Sequence, residues 1–256
     1  MGLTILLSAL ALATPQQFLA AHQLADGSFA ESGGKPDVEL TAWAVLGLRA
    51  ARAPADDRYL RAHEAELSSP TSLALAALAE GHPSAALLSR VSALPNAKAI
   101  NVTAWKALAL AGAGRSIPSA AVRFLVRHQT NGGGWGWATG VAPDSNDTAV
   151  VLEALRAAGT GGRPIRRGIA YLRKLERRDG GFALTVGRGS DAQSTAWVIQ
   201  AFVSARVRPP RAAFRYLARL RRADGSYRYS ARYGVTPVWV TAQVLPALER
   251  RAFPLP

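Results

Sequence analysis

The chain has 256 residues, 49% of them hydrophobic, enough for one large domain or two small ones. It contains no cysteine, which excludes disulfides, thiolate zinc sites, cysteine nucleophiles and internal thioesters. The net charge of +14 is uneven: residues 1–80 carry 5 basic and 9 acidic side chains, residues 81–156 carry 7 and 3, and residues 157–256 carry 19 and 5, nearly all of the basic ones Arg. The Arg-rich C-terminal half suits an anionic surface partner, or simply solvated helix faces such as Arg173, Lys174, Arg177 and Arg178; no specific nucleic-acid motif accompanies it.

The first segment, residues 1–14, is apolar and ends with small residues at Ala11 and Ala13, the pattern of a signal peptide, although it lacks a basic leading stretch. It is too short to cross a bilayer as a helix, and no later segment is long and apolar enough to do so. The competing reading is a first helix of the fold. The expected location is therefore secreted or cell-surface, and residues 15–256 are expected to form a single domain.

From residue 15 onward the chain repeats itself. Phe124-Leu125, Gln129, Gly133 and Trp135 recur as Phe18-Leu19, Gln23, Gly27 and Phe29, then as Tyr171-Leu172, Glu176, Gly180 and Phe182, and as Tyr216-Leu217, Arg221, Gly225 and Tyr227. A second phrase, Thr-Ala plus an apolar run, follows each copy. Six such threonines, Thr41, Thr71, Thr103, Thr148, Thr195 and Thr241, are spaced by 30, 32, 45, 47 and 46 residues. The repeats fall near 15–50, 56–80, 84–112, 118–158, 164–205 and 210–250, the second and third shortened.

Each repeat reads as a helical hairpin. The first helix is apolar on one side, as at Ile169, Leu172 and Leu175, and is expected to end at a glycine pair such as Gly180-Gly181. The second begins near an Asp able to cap it and is apolar all round, hence buried. Six polar-backed outer helices around six apolar inner ones predict an all-α fold, an (α/α)6 toroid with no strands. His22, His63 and His128 share one repeat position on the outer helices and read as structural.

The first phrase resembles the QW motif of squalene–hopene and oxidosqualene cyclases and the wider prenyltransferase and squalene-cyclase repeat, over roughly residues 15–250. The resemblance implies the toroid superfamily of terpene cyclases, protein prenyltransferase β subunits and thioester domains. Thioester chemistry needs the cysteine this chain lacks. The prenyltransferase zinc site needs Asp, Cys and His; the matching stretch Asp191-Ala192-Gln193-Ser194-Thr195 has no thiolate, so no metal and no cofactor is expected.

Class II cyclases protonate an alkene with the middle Asp of Asp-x-Asp-Asp-Thr-Ala. The match here is Asp144-Ser145-Asn146-Asp147-Thr148-Ala149, with Asn146 at the donor place, and an amide has no acidic proton to give. Glu39 stands at the same register in the first repeat, two residues before its Thr; Ser69, Asn101, Gln193 and Trp239 hold it in the others. In a closed ring these six line one mouth, with Asp37, Asp144 and Asp191 just above. Trp43, Trp105, Trp197 and Trp239 would line an apolar cavity for an isoprenoid-like ligand. The plainer alternative makes the aspartates helix caps and the tryptophans core.

Two functions follow, and both stay open. A lone toroid that has lost the donor at Asn146 reads as a secreted, non-catalytic ligand- or partner-binding protein; the triterpene cyclases it resembles use two barrels. The alternative is a small cyclase-like enzyme acting on an isoprenoid, with Glu39 or Asp144 as acid and Asp147 as its neighbour, which requires a dry site that raises a carboxyl pKa. A polysaccharide-acting barrel using Asp37, Glu39, Asp144 and Asp191 is a third reading, disfavoured by the QW repeats.

Overall fold

The computed structural model describes residues 13–95 and 99–255, so the leader expected over residues 1–14 lies outside the described residues except for Ala13 and Thr14. The described chain forms twelve α-helices: α1 (Pro15–Ala21), α2 (Val38–Ala50), α3 (Arg58–Ala62), α4 (Pro70–Ala79), α5 (Ala85–Ala93), α6 (Ile100–Gly112), α7 (Ser119–Arg127), α8 (Ser145–Ala157), α9 (Arg163–Arg173), α10 (Ala192–Ser204), α11 (Arg211–Leu220) and α12 (Pro237–Leu248). The even-numbered helices pack side by side in order, and α12 packs on α2. This closes the inner ring of an (α/α)6 toroid, with the odd-numbered helices outside it. No described helix is long and apolar enough to cross a membrane.

Composition decides which helix goes where. In α10 the run Ser194 to Phe202 is buried throughout, whereas α9 buries Ile165, Ile169 and Leu172 and leaves Arg166 and Arg173 exposed. Asp37, Ser69, Asp144 and Asp191 each cap an inner helix, accepting the backbone N–H of Leu40, Ser72, Asp147 and Ser194 at 2.7, 2.9, 2.8 and 2.7 Å.

The two repeated phrases are hydrogen-bonded to each other. The backbone N–H groups of Phe29, Trp135, Phe182 and Tyr227 donate to the hydroxyls of Thr41, Thr148, Thr195 and Thr241, each at 2.9 Å. Those aromatic rings are buried, so the hydroxyl satisfies a backbone donor that water cannot reach. Gln129 Nε2 donates to Gly133 O at 2.7 Å and to Pro164 O at 2.8 Å, tying the loop to the next outer helix; Gln23 does the same with Gly27 and Asp56.

The mouth of the ring is stitched from one repeat to the next. The residue two places after each QW aromatic accepts a free N–H at the start of the preceding repeat's inner helix: Asn101 N donates to Trp137 O, Ser145 N to Leu184 O and Ala192 N to Tyr229 O. In the last link Glu31 uses its side chain, accepting from Val238 N and Trp239 N at 3.1 and 2.8 Å. Thr236, at φ 45°, offers α12 no cap of its own.

At the opposite end, five inner helices finish with a left-handed residue just past the C-cap. Two of these are glycines, Gly114 (φ 67°) and Gly159 (φ 73°); three are arginines, Arg52 (φ 55°), Arg206 (φ 58°) and Arg250 (φ 51°). Each is followed by the Schellman hydrogen bond, as from Ala53 N to Leu48 O. A side chain in this conformation costs about 1–2 kcal/mol relative to glycine.

Two expectations need correction. The glycine pair does not end the outer helix: α9 stops at Arg173, and Gly180 (φ 84°) lies in a turn closed by its N–H to Arg177 O. Glycine is needed in that turn for its positive φ and because a Cβ on Gly180 would sit 2.8 Å from Ala212 Cβ and 2.9 Å from its carbonyl. Strands were not expected, yet Phe182–Ala183 pairs antiparallel with Ser190–Asp191 as the loop folds back on itself.

Candidate functional site

The inner helices bring side chains to the axis in layers. Two residues after the conserved-register threonines stand Trp43, Trp105 and Trp197, contributed by alternate repeats. Their rings meet edge to face, with centroids 5.6, 5.8 and 5.7 Å apart. Phe253, from the chain's last segment, packs against two of them, at 6.3 Å from Trp43 and 6.0 Å from Trp197. Its backbone N–H donates to Glu153 Oε2 at 2.7 Å. Glu153 is completely buried, and burial holds its carboxyl well above the usual range. The four tryptophans thus do not share one cavity. Three fill the axis, and Trp239 stands apart at the mouth, half-buried.

Above the indoles lies the mouth layer of Glu39, Ser69, Asn101, Asn146, Gln193 and Trp239. Glu39 is exposed and accepts from Ser72 Oγ at 2.5 Å and Ser69 Oγ at 3.3 Å, across to α4. Gln193 Nε2 donates to Gln243 Oε1 at 3.1 Å, and the same oxygen takes the indole N–H of Trp197 at 3.0 Å. Ser145 Oγ donates to the side-chain oxygen of Asn146 at 3.0 Å, while Asn101 turns its own oxygen to the Val102 N–H. Apart from the exposed Glu39, this layer is half-buried, and apart from Trp239 it is polar, over an aromatic floor.

The acids separate by environment. Asp37, Asp144 and Asp191 all serve as helix caps. Asp37 is exposed, while Asp191 is buried and, although Ser194 donates to it twice, burial lifts it to about 6. Asp147, in the first turn of α8, is pushed up to about 8 by burial and then by the adjacent Asp144 carboxyl. Asp147 therefore favours its protonated form at neutral pH. Glu39 and Asp147 belong to repeats one and four, which face each other across a ring of six, so they do not form a pair.

A shallow pocket of about 430 Å³ opens at the ring closure, lined by Glu31, Gly34, Lys35, Asp37, Leu40, Thr236 and Trp239. The loops around the mouth also expose apolar side chains: Trp137, Val186, Tyr233 and Val235 are each more than half exposed. The three repeat histidines lie elsewhere. Nδ1 of His22, His63 and His128 bonds the carbonyl four residues back at 2.8 Å, and each ring packs on the aromatic side chain there, ending an outer helix.

Sequence reasoning missed Glu31, Gln243, Glu153 and Phe253. Gln243 and Glu153 left a signal, as polar residues inside otherwise apolar inner helices. Glu31 shares the register of Trp137, Leu184 and Tyr229. Phe253 lies beyond the last repeat and left none.

The chain matches no protein-family model and no curated protein. Solved structures do resemble it. Protein geranylgeranyltransferase-I from Candida albicans, complexed with GGPP, is 10% identical with a TM-score of 0.60, covering 82% of this chain and 83% of that one. The ent-copalyl diphosphate synthase of Streptomyces platensis is 18% identical with a TM-score of 0.58, covering 85% of this chain but 52% of its own, so the present chain spans about half its length. A glycosidase in complex with glucose is 12% identical with a TM-score of 0.58, covering 92% and 94%. The chain has the α/α toroid fold shared by terpene cyclases and protein prenyltransferases.

Proposed function

We propose that this protein is a non-catalytic ligand-binding toroid, working outside the cytoplasm, whose site is the mouth rather than the barrel interior. The observation that carries this is the Trp43–Trp105–Trp197 triad with Phe253 behind it. A cyclase must enclose a long apolar chain in a dry cavity, and here indoles and a phenyl ring occupy the axis. What remains is a polar collar with exposed aromatic and aliphatic side chains on its rim. An isoprenoid-like ligand would lie across the mouth against Trp239 and Leu40, its polar end toward Glu31, Asp37 and Lys35. The prenyl ligand of the geranylgeranyltransferase supports that ligand class. The Arg-rich outer helices of the C-terminal half supply a separate face for an anionic partner.

One observation favours the cyclase alternative: burial and the neighbouring Asp144 raise the proton affinity of the Asp147 carboxyl, the direction an alkene-protonating acid requires. The two readings separate by product analysis. Residues 14–256 are incubated with squalene, oxidosqualene, and farnesyl and geranylgeranyl diphosphates, alone and as Asp147→Asn and Glu39→Gln, followed by gas chromatography–mass spectrometry. The binding reading expects no cyclised product and quenching of tryptophan fluorescence by the prenyl compounds, diminished in Trp239→Ala. Cyclised product that disappears in Asp147→Asn would replace it with the enzyme.

A further inference from the structure

At the end of the toroid opposite the mouth, the C-termini of α2 and α4 and the last segment of the chain enclose a pocket of about 600 Å³. Arg49, Arg52 and Arg251 line it, with Leu78, Pro254 and Leu255 as an apolar wall. Among the described residues the ion pairs all lie between residues 56 and 66, so none of these three guanidiniums has a carboxylate partner. The acids nearby are engaged elsewhere. Asp57 accepts from the Gly81 N–H at 3.0 Å and pairs with Arg61 at 2.7 Å. Glu80 lines the pocket but is buried, with neither oxygen receiving a donor. Burial and the neighbouring Glu64 carboxyl raise Glu80 to about 8, so at neutral pH it does not offset the arginines.

Arg49 is held in place by the fold, and Arg52 stands at a strained backbone position. Arg49 Nη1 donates to Ala79 O at 2.7 Å, and its Nη2 occupies the notch over Gly81 where a Cβ would stand. Arg52 occupies the left-handed position that Gly114 and Gly159 fill in two other repeats and Arg206 and Arg250 in two more. Glycine would relieve the backbone there, so Arg52→Gly removes the side chain without adding strain.

We propose that this pocket is a second binding site, taking a small ligand that presents a phosphate or diphosphate group to Arg49, Arg52 and Arg251. Three unpaired cations in one pocket call for more than a single negative charge. The guanidinium fork matches phosphate oxygens two at a time, and Leu78, Pro254 and Leu255 would cover the ligand's less polar body. The competing explanation is that cations at helix C-termini only complement the helix dipoles.

Calorimetric titration of the full chain with sodium pyrophosphate, inorganic phosphate and citrate, at matched ionic strength, separates these. Pyrophosphate is expected to bind saturably at one site, more tightly than phosphate or citrate. Arg251→Gln should weaken it about tenfold, the loss of one charge-assisted contact. Arg52→Gly should weaken it similarly while raising the thermal midpoint, because the strained residue is gone. The double variant Arg166→Gln, Arg215→Gln, on exposed outer-helix positions, should leave binding unchanged. The proposal falls if no saturable binding occurs, if citrate binds as well as pyrophosphate, if Arg52→Gly keeps full affinity, or if the outer-helix variant loses as much as the pocket variants.

Discussion

Glu31 Oε1 accepts the backbone N–H of Trp239 at 2.8 Å, joining the first repeat to the last. The three other links at this register, to Trp137, Leu184 and Tyr229, are made by backbone carbonyls, which no side-chain substitution can remove. This one depends on a carboxylate. Glu31→Ala leaves the first N–H groups of α12 without acceptors where the ring closes, and should destabilise the fold by about 1–3 kcal/mol. Glu31→Gln, which retains one carbonyl acceptor, should lose less. Urea unfolding followed by circular dichroism measures both, and equal midpoints for wild type and Glu31→Ala would show that the closure does not depend on this cap.

The buried acids make stability depend on pH in a direction opposite to that of most ion-paired carboxylates. Asp191 is raised to about 6 and Asp147 to about 8, and Glu153 is raised as well. A carboxyl whose pKa is higher in the folded state binds its proton more tightly there. Its stabilising contribution is complete below the unfolded value near 4 and is lost as pH rises toward the folded value. The urea midpoint should therefore fall between about pH 5 and pH 8.5. Asp147→Asn should flatten the upper part of that decline and gain stability at pH 8.5 relative to wild type. A midpoint that rises over this range would contradict the protonated state assigned to Asp147.

If the indole triad is core, its members behave as core. Trp105→Ala should cost about 3–5 kcal/mol, and Trp105→Phe a part of that. If the tryptophans instead line a ligand cavity, truncation would be tolerated in the ligand-free protein and would chiefly alter binding. Thermal unfolding of the ligand-free variants decides between the two.

Thr148 tests the link between the two repeated phrases. Thr148→Val preserves shape but removes the acceptor for the buried Trp135 N–H, with an expected loss of about 1–3 kcal/mol; Thr148→Ser should be nearly neutral. This pair also shows what the sequence could and could not convey. Register alone located both phrases, because the four long repeats bury an aromatic at one position and all six start an inner helix at another, and spacing survives in the chain. The hydrogen bond between them was not legible, since it depends on how tightly the loop turns at Gly133 and Gly134. The mouth layer was legible for a similar reason: Glu39, Asn101, Asn146 and Gln193 follow from counting back from each Thr. The filling of the axis was not. Counting placed Trp43, Trp105 and Trp197 at one level but could not say that three indoles from alternate repeats meet, and Phe253 belongs to no repeat.

Phe253 is the residue on which the closed axis turns. Its ring backs Trp43 and Trp197, and among the described residues its N–H is the one donor that Glu153 Oε2 receives. The neighbouring oxygen, Glu153 Oε1, has no partner among the described residues. Removing residues 252–256 should therefore strand a buried carboxyl and expose the underside of the triad. A loss of about 3–5 kcal/mol is expected for the phenyl ring alone. Acrylamide quenching of tryptophan fluorescence should increase in the truncated chain, and Glu153→Leu in that background should recover part of the stability by removing the stranded acid. If truncation left quenching and stability unchanged, the tail would be a bystander and the indoles alone would seal the barrel. If it instead conferred prenyl binding that competes with acrylamide, the barrel interior would be a latent site held shut by its own C-terminus.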